Sequence, residues 1–262
     1  MKKYFGLWSI LAIAFIVFFL YSFVGSKSLF GFELKSSKLS QSVIVQVDSL
    51  SVLNADTDSI TENVNIKSVF PQPVDTSSQT ILFIGDSMLD GLSPRLAAYA
   101  KGSGHSLYSV IWYSSNTEQW GKSHRLTEYI NKLHPSYIFI CLGANELFVK
   151  DIKEKRTGYV KSILNEIDTI PFVWIGPPNW KEDTGINDML KENLPQGTFF
   201  VSNGMKFDRR KDGAHPTAES ACMWMDSVAR WMPNNSIHPI RLTLPDAKTA
   251  RPNRVFVHYP EK

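Results

Sequence analysis

The sequence ILFIGDS, residues 81–87, joins a short apolar run to a polar segment. An uninterrupted apolar run of this length is typical of a strand that is buried on both faces of a parallel sheet. Ligands of such sheets bind beyond the carboxyl ends of the strands. Because Gly85, Asp86 and Ser87 follow this run directly, we expect them at the ligand-binding edge.

The following part of the chain alternates between strand-like and helix-like patterns. Further strands are predicted at residues 106–113, 137–143, 172–176 and 198–202. Helices are predicted at residues 92–100, 122–133, 152–167, 186–192 and 217–231. Alternation of buried strands with helices predicts an α/β domain whose parallel sheet is covered by helices on both faces.

Two other polar motifs are predicted at the same edge of the sheet. Asn145 ends the sequence GAN after the strand at 137–143, and Asp212 and His215 belong to the sequence DGAH before the last helix. A serine hydroxyl is a weak nucleophile at neutral pH and needs an adjacent base, for which His215 is the candidate. Asp212 is the candidate to accept the other imidazole N–H, as the acid of a catalytic triad does.

Acyl transfer also requires hydrogen-bond donors for the oxyanion that forms on the substrate carbonyl. The side-chain amide of Asn145 is one candidate, and the backbone N–H of Ser87, near the start of a helix, is another. Each motif has a structural alternative. Ser87 is also a favoured helix N-cap, Asn145 a common turn residue, and Asp212 with His215 an ordinary surface pair.

Residues 81–231 resemble the SGNH/GDSL hydrolase family. FIGDS resembles the family's first block, which implies that Ser87 is the nucleophile. GAN resembles the third block, which places Asn145 in the oxyanion hole, and DGAH resembles the fifth block, which contains Asp212 and His215. The resemblance implies a flavodoxin-like, three-layer α/β/α fold with a central parallel sheet. It also implies ester hydrolysis or acyl transfer without a metal or an organic cofactor.

Two positions depart from the family pattern. The second block normally gives a glycine N–H to the oxyanion hole, but this chain reads Ser114-Ser115-Asn116-Thr117 and has no glycine until Gly121. Asn116 and Ser115 are both candidates for this donor, and Asn tolerates left-handed backbone angles better than most residues. The second departure is Glu146, where the family commonly has Asp.

The amino terminus predicts a membrane anchor. Lys2 and Lys3 precede an uncharged, largely apolar run at residues 4–24. As a helix, this run would span about 31 Å, which matches the ~30 Å hydrocarbon core of a bilayer. We therefore expect a single-pass inner-membrane protein whose catalytic domain lies on the periplasmic side, with a cleaved signal peptide as the alternative.

The remaining composition divides the chain into four parts. We predict a transmembrane anchor at 1–25, a Ser/Asp/Val-rich linker at 26–79, the hydrolase domain at 80–232, and a basic tail at 233–262 that contains five prolines. The tail either lies against the domain or in solvent, or it contacts anionic lipid or acidic polysaccharide.

Charge and cysteine content restrict the possible partners. The formal net charge is only +3, which argues against nucleic acid as a partner. Cys141 and Cys222 are expected to be buried free thiols, with a single disulfide as the alternative, and they lack the neighbours that zinc binding would require.

Three functions agree with these features. The first is a serine-dependent esterase or deacetylase that acts outside the cytoplasmic membrane on an O-acylated glycan or a similar ester. The second is an O-acyltransferase for envelope polysaccharide or peptidoglycan, which would receive acyl groups from a membrane-bound partner protein. The third is a non-catalytic glycan-binding module on the same fold.

Overall fold

The computed structural model describes residues 72–260, which form one sheet with helices on both of its faces. The strands are β1 (Thr80–Gly85), β2 (Ser106–Trp112), β3 (Tyr137–Cys141), β4 (Phe172–Ile175), β5 (Phe199–Phe200) and β6 (Arg254–His258). The helices are α1 (Leu89–Ser103), α2 (Thr117–Ser123), α3 (Arg125–Leu133), α4 (Ile152–Ile167), α5 (Ile186–Asn193) and α6 (Ala218–Asn235).

All neighbouring strands of the sheet are parallel, in the order β5-β4-β3-β1-β2-β6. The central strand β1 is buried on both faces. Ile81 and Phe83 pack in a cluster with α1 and α6, whereas Leu82 and Ile84 pack in a second cluster with α2, α3, α4 and α5. This confirms the predicted three-layer α/β/α arrangement and explains why the sequence of β1 shows no polar alternation.

The region predicted as one helix at 122–133 contains parts of two helices. His124 has a left-handed backbone (φ 53°) and ends α2, and α3 begins at the next residue. The prediction of a single helix here is therefore wrong, because the break depends on one backbone angle that the side-chain pattern does not reveal.

Gly121 lies near the end of α2, where a Cβ would come within 2.8 Å of the Tyr159 carbonyl oxygen on α4.

The carboxyl-terminal segment contributes β6, a strand that the sequence did not predict. This strand pairs in parallel with β2, from Tyr108 opposite Arg254 to Trp112 opposite His258. On the other side of the domain, Asp75 forms a parallel bridge with Ile240. The predicted domain limits at 80 and 232 are therefore too narrow, since residues of both the linker and the tail pair with the rest of the domain.

Both cysteines are free and buried, as predicted. Burial raises the pKa of the Cys141 thiol well above its usual range. Neither thiol is therefore suited to act as a nucleophile in the way that an exposed thiolate does.

Within residues 72–260, no helix combines the length and the apolar character that a membrane crossing needs. The predicted anchor at 1–25 and most of the predicted linker at 26–79 lie outside the described residues.

Candidate active site

The candidate nucleophile lies in the tight turn between β1 and α1. Gly85 allows this turn to approach β3, because a Cβ at this position would lie 2.3 Å from the carbonyl oxygen of Cys141. The Asp86 carboxyl then accepts the Met88 N–H at 2.9 Å. The N-cap of α1 is Met88, and it has no side-chain capping bond, so the alternative in which Ser87 caps the helix is wrong.

The hydroxyl of Ser87 faces the imidazole predicted as its base. His215 Nε2 lies 2.8 Å from Ser87 Oγ, and His215 Nδ1 lies 3.0 Å from Asp212 Oδ2. The other oxygen of Asp212 accepts the backbone N–H groups of His215 and Ala214, and these bonds lower the pKa of Asp212 to about 2. The ionised carboxylate fixes the proton on Nδ1 and leaves Nε2 free to accept the Ser87 proton.

The loop that carries Asp212 and His215 is held by its own backbone. The Arg210 N–H donates to the His215 carbonyl at 2.8 Å, and the Thr217 N–H donates to the Asp208 carbonyl at 2.8 Å. These bonds belong to a short antiparallel bridge, which fixes the position of the imidazole relative to α6.

Arg209 connects this loop to the segment that follows β4. Its guanidinium donates to the carbonyl oxygens of Ala214, Asn179 and Pro178. No sequence pattern identifies this positioning residue, because a single arginine in a loop looks the same as a solvated one.

The side-chain amide of Asn145 points away from its own loop toward the end of β2. Its Nδ2 donates to the Ser115 carbonyl at 2.9 Å, which engages one amide proton and leaves the second for another acceptor. The residue before it is also held, because Trp180 Nε1 donates to the Ala144 carbonyl at 2.9 Å. Asn145 is therefore held in a fixed orientation against the segment that follows β2.

Ser115 is a poor candidate for the second-block oxyanion donor. Its N–H donates to the Trp112 carbonyl at 3.1 Å, and its hydroxyl accepts Trp120 Nε1 at 3.0 Å. The N–H and the hydroxyl of this fully buried residue are thus both engaged in hydrogen bonds inside the fold.

Asn116 leaves its backbone N–H available. This N–H has no acceptor among residues 72–260, whereas the side chain of Asn116 accepts the Gln119 N–H and caps α2. Asn116 has an extended backbone, with a φ of −143°, and Ser114 takes the left-handed angle in this turn (φ 58°). The geometry therefore favours the Asn116 N–H over that of Ser115.

Glu146 connects the Asn145 loop to the amino terminus of α2. Its fully buried carboxyl accepts Thr117 N–H at 2.9 Å, Thr117 Oγ1 at 2.8 Å and Arg156 Nε at 2.7 Å. Burial raises the pKa of Glu146, although the bonds from Thr117 and Arg156 oppose that rise. In the sequence, Glu146 is notable only as a departure from the family pattern, but in the structure it holds the Asn145 and Asn116 segments together.

Replacing Glu146 should destabilise the fold strongly. In Glu146→Ala, the buried N–H and hydroxyl of Thr117 lose their acceptor, and Arg156 keeps only its ion pair with Glu118. We therefore expect the free energy of unfolding to fall by about 3 kcal/mol. Urea unfolding measures this change. Glu192→Ala is the control, because its ion pair with Lys153 is exposed and screened by solvent, so its loss should change the free energy of unfolding much less. Equal losses in the two variants would contradict the assignment.

Asp86 is a second buried carboxyl at the site, and it is less well satisfied. Its Oδ2 has no hydrogen-bond partner among the described residues. Burial is the main reason that its pKa rises to about 7, and the nearby charge of Glu146 adds to the rise. Asp86 therefore changes charge near neutral pH.

The raised pKa of Asp86 predicts a pH-dependent stability. Between about pH 4, near the pKa of Asp in an unfolded chain, and pH 7, the folded protein keeps a proton that the unfolded chain has lost. The contribution of this proton to the free energy of unfolding is fully present below pH 4. It decreases by about 1.4 kcal/mol per pH unit as the pH rises to 7. Asp86→Asn should lack this component when urea unfolding is followed from pH 4.5 to 8. Parallel pH profiles of the wild type and the variant would exclude it.

Among residues 72–260, no group of His, Cys, Asp and Glu side chains is arranged to hold a metal ion. The predicted catalytic residues Ser87, His215 and Asp212 are brought together at one edge of the sheet.

No protein-family model and no curated protein matches the chain. Solved structures are similar to it at low sequence identity. The psychrotrophic esterase EstA from Pseudoalteromonas sp. is 16% identical with a TM-score of 0.44, over 59% of this chain and 99% of that one. A lipolytic protein of the G-D-S-L family from Desulfitobacterium hafniense is 14% identical with a TM-score of 0.43, over 58% and 98%.

A third similar structure is a family 3 carbohydrate esterase from Clostridium thermocellum. It is 14% identical with a TM-score of 0.43, over 60% of this chain and 100% of that one. Two of these three structures are thus named as esterases, and one as a lipolytic protein of the G-D-S-L family. The activities in their names belong to those proteins.

Proposed function

We propose that this chain is a serine-dependent carboxylic ester hydrolase. The observation that supports the proposal is the continuous hydrogen-bond chain from Ser87 through His215 to Asp212, with distances of 2.8 Å and 3.0 Å. A serine hydroxyl bonded to an imidazole whose other nitrogen meets a carboxylate is the arrangement that activates serine for attack on a carbonyl.

Acylation begins when Ser87 Oγ attacks the ester carbonyl carbon and its proton moves to His215 Nε2. The electron pair of the carbonyl double bond moves onto oxygen, and the backbone N–H groups of Ser87 and Asn116 and the amide of Asn145 are available to stabilise this oxyanion. The intermediate then reforms the carbonyl and breaks the bond to the alcohol. His215 gives its proton to the leaving alkoxide, which departs as an alcohol.

Deacylation repeats these steps with water as the nucleophile. His215 accepts a proton from water as the water oxygen bonds to the acyl carbon of acyl-Ser87. Collapse of the second oxyanion breaks the bond to Ser87 Oγ, which recovers its proton from His215 as the carboxylic acid is released. Asp212 stays ionised throughout and stabilises the imidazolium, as its pKa of about 2 allows.

The proposed substrate is an O-acylated glycan or a similar ester with a bulky alcohol part. Support comes from the position of the acid–base pair, since the side chain of Asp212 is 47% exposed and that of His215 is partly exposed. An open site of this kind admits a large, polar alcohol group that projects into solvent.

Replacement of Ser87 tests the hydrolase proposal. Purified full-length protein should hydrolyse p-nitrophenyl acetate and react with a fluorophosphonate probe, and Ser87→Ala should lose both properties because it lacks the nucleophile. Ser227→Ala is a matched control, because this serine lies on α6 and bonds only to Met223 and Arg230. Wild-type labelling of the Ser87→Ala protein would exclude Ser87 as the nucleophile.

Two other outcomes would favour the alternative functions. A wild-type protein that is labelled at Ser87 but releases no acid from any ester tested would contradict hydrolysis and favour transfer to a sugar hydroxyl. A folded wild-type protein that is neither labelled nor active would favour the glycan-binding module.

We also propose that the catalytic domain lies outside the cytoplasmic membrane, anchored by residues 1–25. The support is the sequence of this segment, in which Lys2 and Lys3 precede the uncharged run at 4–24. Alkaline phosphatase fused after residue 262 should be active in a bacterial host, because that enzyme forms its disulfides only after export. An inactive but intact fusion would contradict the proposed location.

A further inference from the structure

Two tyrosines form a stacked pair at the same edge of the sheet as Ser87. Tyr113 follows β2 and Tyr259 follows β6, with ring centroids 5.3 Å apart and planes only 8° from parallel. Tyr259 is 72% exposed, so one face of its ring lies against Tyr113 and most of the side chain contacts solvent. The Tyr113 N–H donates to the His258 carbonyl at 2.9 Å, which holds the two backbones together.

Hydrogen bonds connect this pair to the nucleophile turn. The Tyr113 hydroxyl donates to Asp90 Oδ1 at 2.9 Å, and the Asp90 N–H donates to the Ser87 carbonyl at 3.2 Å. The pKa of Tyr113 is raised to about 12, chiefly by burial, and the positive charge of Arg210 opposes that rise.

The strand order gives the distance between the pair and the reaction centre. Ser87 follows β1, and β2 and β6 are the next two strands on one side of it. Because neighbouring strands lie about 4.8 Å apart, Tyr259 is displaced from Ser87 by about 10 Å across the sheet edge. A substrate that reaches both residues must extend beyond the acylated group.

Aromatic side chains also lie on the other side of the nucleophile. Trp180, in the segment after β4, bonds to the Ala144 carbonyl, and Phe148, which is 56% exposed, follows the Asn145 segment. Lys181 Nζ lies 4.7 Å from the centre of the Trp180 ring and 5.6 Å from that of Phe148. The reaction centre thus lies between two aromatic groups, an arrangement that suits a chain of rings better than one compact ester.

The chemistry of the pair favours a sugar. The face of an aromatic ring carries partial negative charge and attracts the polarised C–H groups on the flat side of a pyranose. An exposed aromatic face beside the Asp90 carboxylate therefore suits a neutral sugar ring better than an acidic one.

We propose that Tyr259, supported by Tyr113, binds a sugar ring of an oligosaccharide whose acylated ring lies at Ser87. The inference rests on the proposed esterase function and specifies its substrate as an oligosaccharide. Since the displacement of about 10 Å exceeds one sugar ring, Tyr259 contacts a neighbouring ring rather than the acylated one.

Comparing substrates of different length tests this subsite. We would measure kcat/KM of the full chain for partially O-acetylated cellotetraose, O-acetylated methyl glucoside and triacetin, none of which carries an aromatic leaving group. Tyr259→Ala should lose about 10-fold on the tetrasaccharide, the size expected when one stacked ring is lost, and stay within about 2-fold on the other two substrates. Tyr259→Trp should retain the tetrasaccharide activity. Leu244→Ala, at a residue that is 71% exposed, should change nothing.

Several outcomes would overturn the subsite and leave esterase function intact. The first is an unchanged kcat/KM for the tetrasaccharide in Tyr259→Ala. The second is an equal loss of kcat/KM on all three substrates in that variant, which indicates a structural role. The third is a wild type that hydrolyses triacetin with a kcat/KM as high as that for the tetrasaccharide.

A wild type that hydrolyses no ester would instead overturn the proposed function, and binding would then decide the subsite. In an NMR titration with unmodified cellotetraose, weaker binding by Tyr259→Ala than by the wild type would support it. Equal binding, or no binding to the wild type, would overturn it.

Discussion

Parallel pairing of β1 with both of its neighbours is the constraint on which the site depends. The register places Gly85 opposite Ile111 of β2 and opposite Cys141 of β3, so all three strands end at nearly the same level. The chain then leaves each strand through a polar turn at one edge. Ser87, Asn116 and Asn145 thereby lie at the same edge of the sheet although they belong to three separate segments. This close approach also requires a glycine at position 85, where any side chain would collide with β3.

The central part of this arrangement was readable from the sequence. Continuous apolar runs identify β1 and β3 because both faces of these strands are buried, and the polar residues that follow them must lie at the ligand-binding edge. Ser87 and Asn145 could therefore be proposed from the sequence, and His215 could be proposed because a nucleophilic serine needs a base. The family resemblance added the expected role of each residue.

Other features depend on contacts that no local pattern carries. β6 lies at the sheet edge with Val255 and Val257 exposed, and the prolines and charged residues around it are typical of a solvated tail. The stack between Tyr113 and Tyr259 joins segments far apart in the chain. The role of Glu146 depends on Thr117 and Arg156, which lie on two other helices. In each case a tertiary contact, rather than periodicity, decides the structure.

The distance along the chain between the paired residues has a consequence for folding. The Ser87–His215 hydrogen bond joins residues 128 positions apart, and the Tyr113–Tyr259 stack spans a still longer segment. Closing such long loops costs chain entropy that only the assembled sheet offsets, and contacts of this range slow folding. The nucleophile therefore meets its base only in a molecule whose strands have already assembled. In a partly folded chain Ser87 has no base beside it, so this serine is not activated as a nucleophile until folding is complete.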